Sequence, residues 1–145
     1  MNVVVLAAGK GKRMHSSLPK VLQALAGRPL LDHVLDATAG LADHPRVVVI
    51  GHAADIVRKH YEGRTDIVFA LQQEQLGTGH ALMQALAAIN PEDPLTLVCL
   101  GDVPLLSPKT LMAMAEAGAD GSLVLLTVEL SDPTGYGRID RKSVV

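Results

Sequence analysis

Four short stretches hold residues whose types and spacing could do chemistry. The first is Leu6-Ala7-Ala8-Gly9-Lys10-Gly11-Lys12-Arg13-Met14. Small residues here let backbone come close to a ligand, and successive N–H groups can cradle phosphate oxygens. Its spacing is not that of a dinucleotide fingerprint, because Met14 stands where a third glycine belongs, and it has no P-loop Gly-Lys-Ser/Thr. The second, Leu18-Pro19-Lys20, puts an ammonium ten residues past that loop, where an extended segment could fold it back as a point charge on phosphate. The third, Leu100-Gly101-Asp102-Val103-Pro104, places a carboxylate just beyond an apolar run. Magnesium is commonly held by one or two carboxylates plus substrate phosphates, so Asp102 would supply half a site. In the fourth, Leu71 to His80, Gln72 offers the paired donor and acceptor needed to read a nucleobase edge. Gly77 and Thr78 open a helix beside it, favourable for a polar or anionic group. Taken singly, the first three each have a plainer explanation: a tight turn, a surface lysine, an aspartate before a proline; for the first two it outweighs the functional one.

Charge distribution narrows the ligand. The chain has 145 residues and a net charge of −2, from 13 basic and 15 acidic side chains. Lys10, Lys12, Arg13 and Lys20 cluster near the start, whereas Lys109 is the only lysine or arginine between Thr65 and Gly137. A duplex-binding surface needs a spread of basic side chains, so this pattern suits a compact polyanion such as a nucleoside triphosphate. With no tryptophan, two tyrosines and one phenylalanine, base stacking along a single strand is also disfavoured.

The elements that must position these residues can be read from hydropathy. Strands are expected at Val3 to Ala7, Arg46 to Gly51, Asp66 to Ala70, Leu95 to Leu100 and Ser122 to Leu130. The first four are almost continuously apolar, as strands buried on both faces of a parallel sheet are. Helices are expected over Pro29 to Ala42, Ala53 to His60, Thr78 to Ile89 with Thr78 as N-cap, and from Ser107-Pro108 through Ala117. This alternation predicts an α/β, Rossmann-like, doubly wound, mostly parallel sheet in one domain spanning residues 1–145, with ligands at the carboxyl ends of the strands. At 48% hydrophobic residues the chain can bury a core. No apolar run approaches the roughly 18 to 20 residues of a membrane span, and no signal peptide is expected at the N-terminus. A single cysteine, Cys99, allows no internal disulfide, so the expected compartment is the cytoplasm.

The ordered set LAAGKGKRM, LPKVL, LQQEQLGTGHA, LGDVPLL and DPTGYGRI resembles the sugar-nucleotide pyrophosphorylases. It is most similar to the uridylyltransferase domain of the bifunctional bacterial N-acetylglucosamine-1-phosphate uridylyltransferase/glucosamine-1-phosphate acetyltransferases. The first two motifs specify only nucleotidyltransferases; EQLGTGHA and DPTGYGRI are the discriminating ones. The resemblance implies a nucleotide-diphospho-sugar transferase type of fold and transfer of uridylyl from UTP to N-acetylglucosamine 1-phosphate, a step in making cell-wall precursors. It assigns Leu6, Ala7, Ala8 and Gly9 to the uridine, Gln72, Gly77 and Thr78 to the base, and Arg13 and Lys20 to the triphosphate as catalytic groups. Leu100, Gly101 and Asp102 would border the sugar nucleotide, with Asp102 as a magnesium ligand, and Gly137 would pass near the N-acetylglucosamine of UDP-N-acetylglucosamine.

His80 and Cys99 are expected to be structural. Lys12 stands where the family usually has threonine, and Leu100 where tyrosine is common. The family's sugar-binding glutamate and asparagine, second magnesium ligand and acetyltransferase β-helix have no counterpart here. The expectation is therefore a truncated N-terminal portion of the domain that is weakly active or inactive, with trimers confined to the full-length protein. Alternatives are another sugar-phosphate, cytidylyl- or guanylyltransferase, or a non-catalytic nucleotide-binding module. An apolar sheet edge is expected to leave Gly135 to Val145 associating or mobile.

Overall fold

A computed structural model describes residues 1–11, 14 and 16–139. The elements run β1 (Asn2–Leu6), a 3-10 turn (Lys20–Leu22), β2 (Ala24–Leu25), β3 (Arg28–Pro29), α1 (Leu30–Thr38), β4 (Arg46–Ile50), α2 (Ala54–His60), β5 (Ile67–Leu71), α3 (Thr78–Ala85), β6 (Thr96–Leu100) and α4 (Pro108–Ala117). Four strands form one parallel sheet in the order β5-β4-β1-β6. The chain first builds outward from β1 through β4 to β5, then returns to lay β6 on the other side of β1. This reversal opens a crevice at the carboxyl ends of β1 and β6, where ligands of such sheets sit. No described helix is long and apolar enough to cross a membrane.

Runs of β-branched residues, Val3–Val5 and Val47–Val49, make the two central strands. As the sequence predicts, β1 and β4 are buried on both faces. The outer strands differ: Val98 and Leu100 of β6 are exposed and alternate with buried Leu97 and Cys99, so one face of that strand is uncovered, and Val68 and Leu71 of β5 are exposed as well. One face packs Val3, Val5, Val48, Ile50 and Leu97 against Leu31, Val34 and Leu35 of α1, Val57 of α2 and Leu111 of α4. The other packs Val4, Val47, Val49 and Ala70 against Ala81 and Ala85 of α3, whose small side chains let the helix lie close.

Four expectations change. The helix begun at Thr78 ends at Ala85, and Leu86 and Ala88 donate to carbonyls three residues back, tightening the chain into turns. Its N-cap is Gly77, not Thr78. Pro29 lies in β3 ahead of α1, since Ala26 and Gly27 adopt positive φ (51° and 78°) and fold a small hairpin of β2 and β3 that the sequence reading missed. Ser122 to Leu130 is not a strand. Its apolar residues, including Leu123, Leu125 and Val128, are largely exposed and join no ladder among the described residues. Strand propensity alone does not make a strand without a hydrogen-bonding neighbour. Residues 140–145 lie outside the described ones, as does part of the expected C-terminal edge.

Candidate active site

A cleft of about 310 Å³ opens at the carboxyl ends of β1, β5 and β6. It is lined by Leu6, Ala7, Ala8, Gly9, Lys20, Gln72, Gly77, Thr78, Leu100 and Asp102, together with Val21, Gln75 and Ala81. Backbone bonds carry the sheet into the loops: Ala7 N–H donates to Val49 O at 2.8 Å, Gly101 N–H to Leu6 O at 2.8 Å and Gln72 N–H to Ile50 O at 2.7 Å. These bonds fix where each loop leaves its strand.

Lys20 reaches the cleft because its own segment is held from both sides. Val21 and Leu22 are buried, and Gln23 Nε2 donates to Leu18 O and to Ser16 Oγ, each at 3.0 Å. Gly11, at φ +57°, lies against Lys20, and a Cβ there would stand 2.9 Å from Lys20 Cβ. Glycine at this position serves both the left-handed turn and the close approach. Lys20 Nζ donates to Asp102 Oδ2, pairing residues 82 positions apart, and each side chain is about one-third exposed. Such an accessible pair contributes little to stability and can separate when a charged ligand arrives.

Gly101 sets Asp102 beside the first loop. A Cβ on Gly101 would be 3.2 Å from both Ala7 Cβ and Leu6 O, so the two loops touch only because it is glycine. Gly51, at the end of β4, works similarly: an added Cβ would be 3.0 Å from Ala8 Cβ and from Gln72 O. Gln72 is 3% exposed, and its Nε2 donates to Gly77 O at 3.1 Å. Gly77 has φ +104°, a conformation that a side chain would strain.

The sequence-predicted residues thus gather around one cleft, with exceptions. Gly101 supports the wall from behind and Gly137 is exposed and lines no part of the cleft. Arg13 and Lys12 lie outside the described residues. Sequence reasoning gave no role to Val21, Gln23, Gly51, Gln75 or Ala81. Val21, Gln75 and Ala81 lie inside the motifs LPKVL and LQQEQLGTGHA, while Gly51 carried a signal, a glycine ending an apolar strand. Cys99 faces the α1-side core, where burial pushes its thiol up to about 11 and leaves it inert.

Among the described residues no cluster of three or more histidine, cysteine, aspartate or glutamate side chains could hold a metal alone. A lone, partly exposed Asp102 fits instead a cation shared with a ligand's own phosphates.

The chain belongs to the family of MobA-like NTP transferase domains, whose model matches residues 3–136. Among its relatives is the bifunctional protein GlmU of Burkholderia thailandensis, 57% identical over 97% of this chain. The same figures hold for GlmU of Burkholderia pseudomallei strain K96243. The chain spans 31% of the length of these relatives. Solved structures with the same architecture include Rv0371c of Mycobacterium tuberculosis H37Rv, with 26% identity and a TM-score of 0.71 over 82% of this chain and 60% of that one. Rv0371c has also been solved in complex with manganese, at 26% identity and a TM-score of 0.67 over 82% of this chain and 59% of that one. A nucleotidyl transferase of Methanothermobacter matches with 27% identity and a TM-score of 0.70, over 79% of this chain and 56% of that one.

Proposed function

We propose that the cleft binds UTP with magnesium and serves uridylyl transfer to N-acetylglucosamine 1-phosphate, giving UDP-N-acetylglucosamine and pyrophosphate. The observation that carries this reading is the convergence, at one sheet end, of a glycine loop, the Lys20–Asp102 pair and the Gln72–Gly77 corner. The kinship with GlmU supplies the uridine and the sugar, and the Rv0371c–manganese complex supports a divalent cation.

In the reaction a phosphate oxygen of the sugar 1-phosphate attacks the α-phosphorus of UTP. A new P–O bond forms as the bond to the β-phosphate breaks, and the electron pair leaves with pyrophosphate. The protein's part is positioning and charge stabilisation, with no covalent intermediate. Leu6 to Gly9 bring backbone against the nucleoside, and Gln72 and Gly77 face the base. Lys20 leaves Asp102 for the phosphates, with Arg13 as its proposed companion. Asp102 would hold a bound magnesium, which would supply charge neutralisation at the phosphates.

Calorimetric titration with UTP, CTP and ATP in magnesium tests this. UTP is expected to bind most tightly, and equal affinities would overturn the assignment of the base corner. A second reading has a specific basis: Gly137, assigned to the sugar, lies away from the cleft. On that reading residues 1–145 bind nucleotide without turnover. Release of pyrophosphate from UTP and N-acetylglucosamine 1-phosphate by this chain would exclude it. A cytoplasmic setting, and trimers in the longer relatives, belong to the same proposal.

A further inference from the structure

The Gln72 carboxamide is held by more than Gly77. Its Nε2 stands 3.1 Å from Gly77 O and 3.1 Å from His80 Nδ1. A backbone carbonyl only accepts, so the atom facing Gly77 must be the amide nitrogen, and the orientation of the carboxamide follows from chemistry. One amide hydrogen goes to Gly77. The other goes to His80 Nδ1, which must then be the bare ring nitrogen, with the ring hydrogen on Nε2. On that side Gln84 Nε2 stands 3.2 Å from His80 Nε2 and 3.4 Å from His80 O; with the ring hydrogen on Nε2, the Gln84 carboxamide turns its oxygen to the ring and gives up the longer contact. The Oε1 atom of Gln72 has no hydrogen-bond partner among the described residues, although the residue is 3% exposed and borders the cleft.

We infer that His80 is a positioning residue for base selection: its ring locks the Gln72 amide so that Oε1 offers the cleft an acceptor. An acceptor fixed there favours a base edge with a ring N–H, as uracil has, over one with a bare ring nitrogen, as cytosine has. Without His80 the second amide hydrogen loses its partner, and the carboxamide can turn to offer a donor instead. The inference rests on the nucleotide reading above and adds to it a residue that touches no ligand.

Two measurements test it. In titrations with UTP and CTP in magnesium, His80→Ala should lower the UTP-over-CTP preference about tenfold, the scale of one hydrogen bond. His80→Asn, whose Oδ1 can accept near the Nδ1 position, should restore most of it. A preference unchanged in His80→Ala, or UTP and CTP weakened equally, would overturn the inference while leaving uridine binding intact. If the wild-type chain shows no preference, the base reading fails and this inference falls with it. Independently of nucleotide, ring ¹⁵N shifts of His80 should report the Nε2–H tautomer at neutral pH. A hydrogen on Nδ1 would sink the proposal even if the variants misfold.

Discussion

The two ends of the parallel sheet treat their polar groups differently. At the amino end, Asn2 is 4% exposed and uses both functions of its amide on one residue, donating to Asn90 O at 2.8 Å and accepting from Asn90 N–H at 2.9 Å. Arg46, also 4% exposed, donates to Leu35 O and to Asp66, which Arg64 grips as well. Even Asp93 Oδ2, which lacks a hydrogen bond among the described residues, stands 3.5 Å from the Met1 ammonium. At the carboxyl end, Gln72 Oε1 has no hydrogen-bond partner among the described residues, and Lys20 and Asp102 hold each other in a pair that solvent reaches. Saturated groups hold strands in register; groups with a spare valence remain available to a ligand.

This contrast can be broken by substitution. The largest stability loss is expected at the amino end. Arg46→Met should cost about 2–3 kcal/mol, since it removes the charge-assisted bonds to Leu35 O and Asp66 and leaves Leu35 O only the shared Thr38 hydroxyl. Thermal unfolding would measure that, and nucleotide affinity below the transition should not change. Lys20→Met should do the reverse. It should weaken UTP–magnesium binding by roughly tenfold to a hundredfold, because a charge-assisted phosphate contact is worth about 1.5–3 kcal/mol. Its melting temperature should stay close to wild type, given the exposure of the pair. A Lys20→Met variant that melts far lower would make the pair structural and erase the contrast.

Gly51→Ala is a smaller perturbation and tests how the two regions join. It would press on Ala8 and on the Gln72 carbonyl, shifting both walls of the cleft by a few tenths of an ångström. Nucleotide affinity should fall more than stability does.

The pH dependence of folding sharpens the comparison further. Hydrogen bonds from Arg64, with Arg46 adding to the field, hold the Asp66 carboxyl at about 2 in the folded protein, below its ordinary 3.8. A carboxyl lowered on folding stabilises above its unfolded value, so this contribution should be complete above pH 4 and fade as pH falls toward about 2. Denaturant unfolding at successive pH values should register that loss in the wild type and much less of it in Asp66→Asn. The smallest effect concerns Cys99: its buried thiol should resist alkylation in the folded protein and react once denaturant opens the α1-side core.

Much of this was legible in the sequence because it rests on local pattern. Valine runs mark β1 and β4, and glycine, lysine and aspartate after apolar runs mark the loops that line the cleft. What was not legible depends on distant partners. Lys20 and Asp102 are 82 residues apart, so only the order of strands brings them together. Ser122 to Leu130 has the apolar, β-branched composition of a strand but no neighbour to pair with among the described residues. His80 looked like an isolated histidine on a helix start, and only the fold sets its ring against the Gln72 amide.

The central claim is that ligand recognition is confined to the carboxyl end of the sheet, and backbone amide shifts on adding UTP with magnesium test it most directly. The account predicts shifts concentrated at Ala7 to Gly11, Gln72 to His80 and Gly101 to Asp102, with Asn2, Arg46 and Asp66 unmoved. Shifts centred instead on the amino end, at Asn2, Arg46 and Asp66, would contradict it.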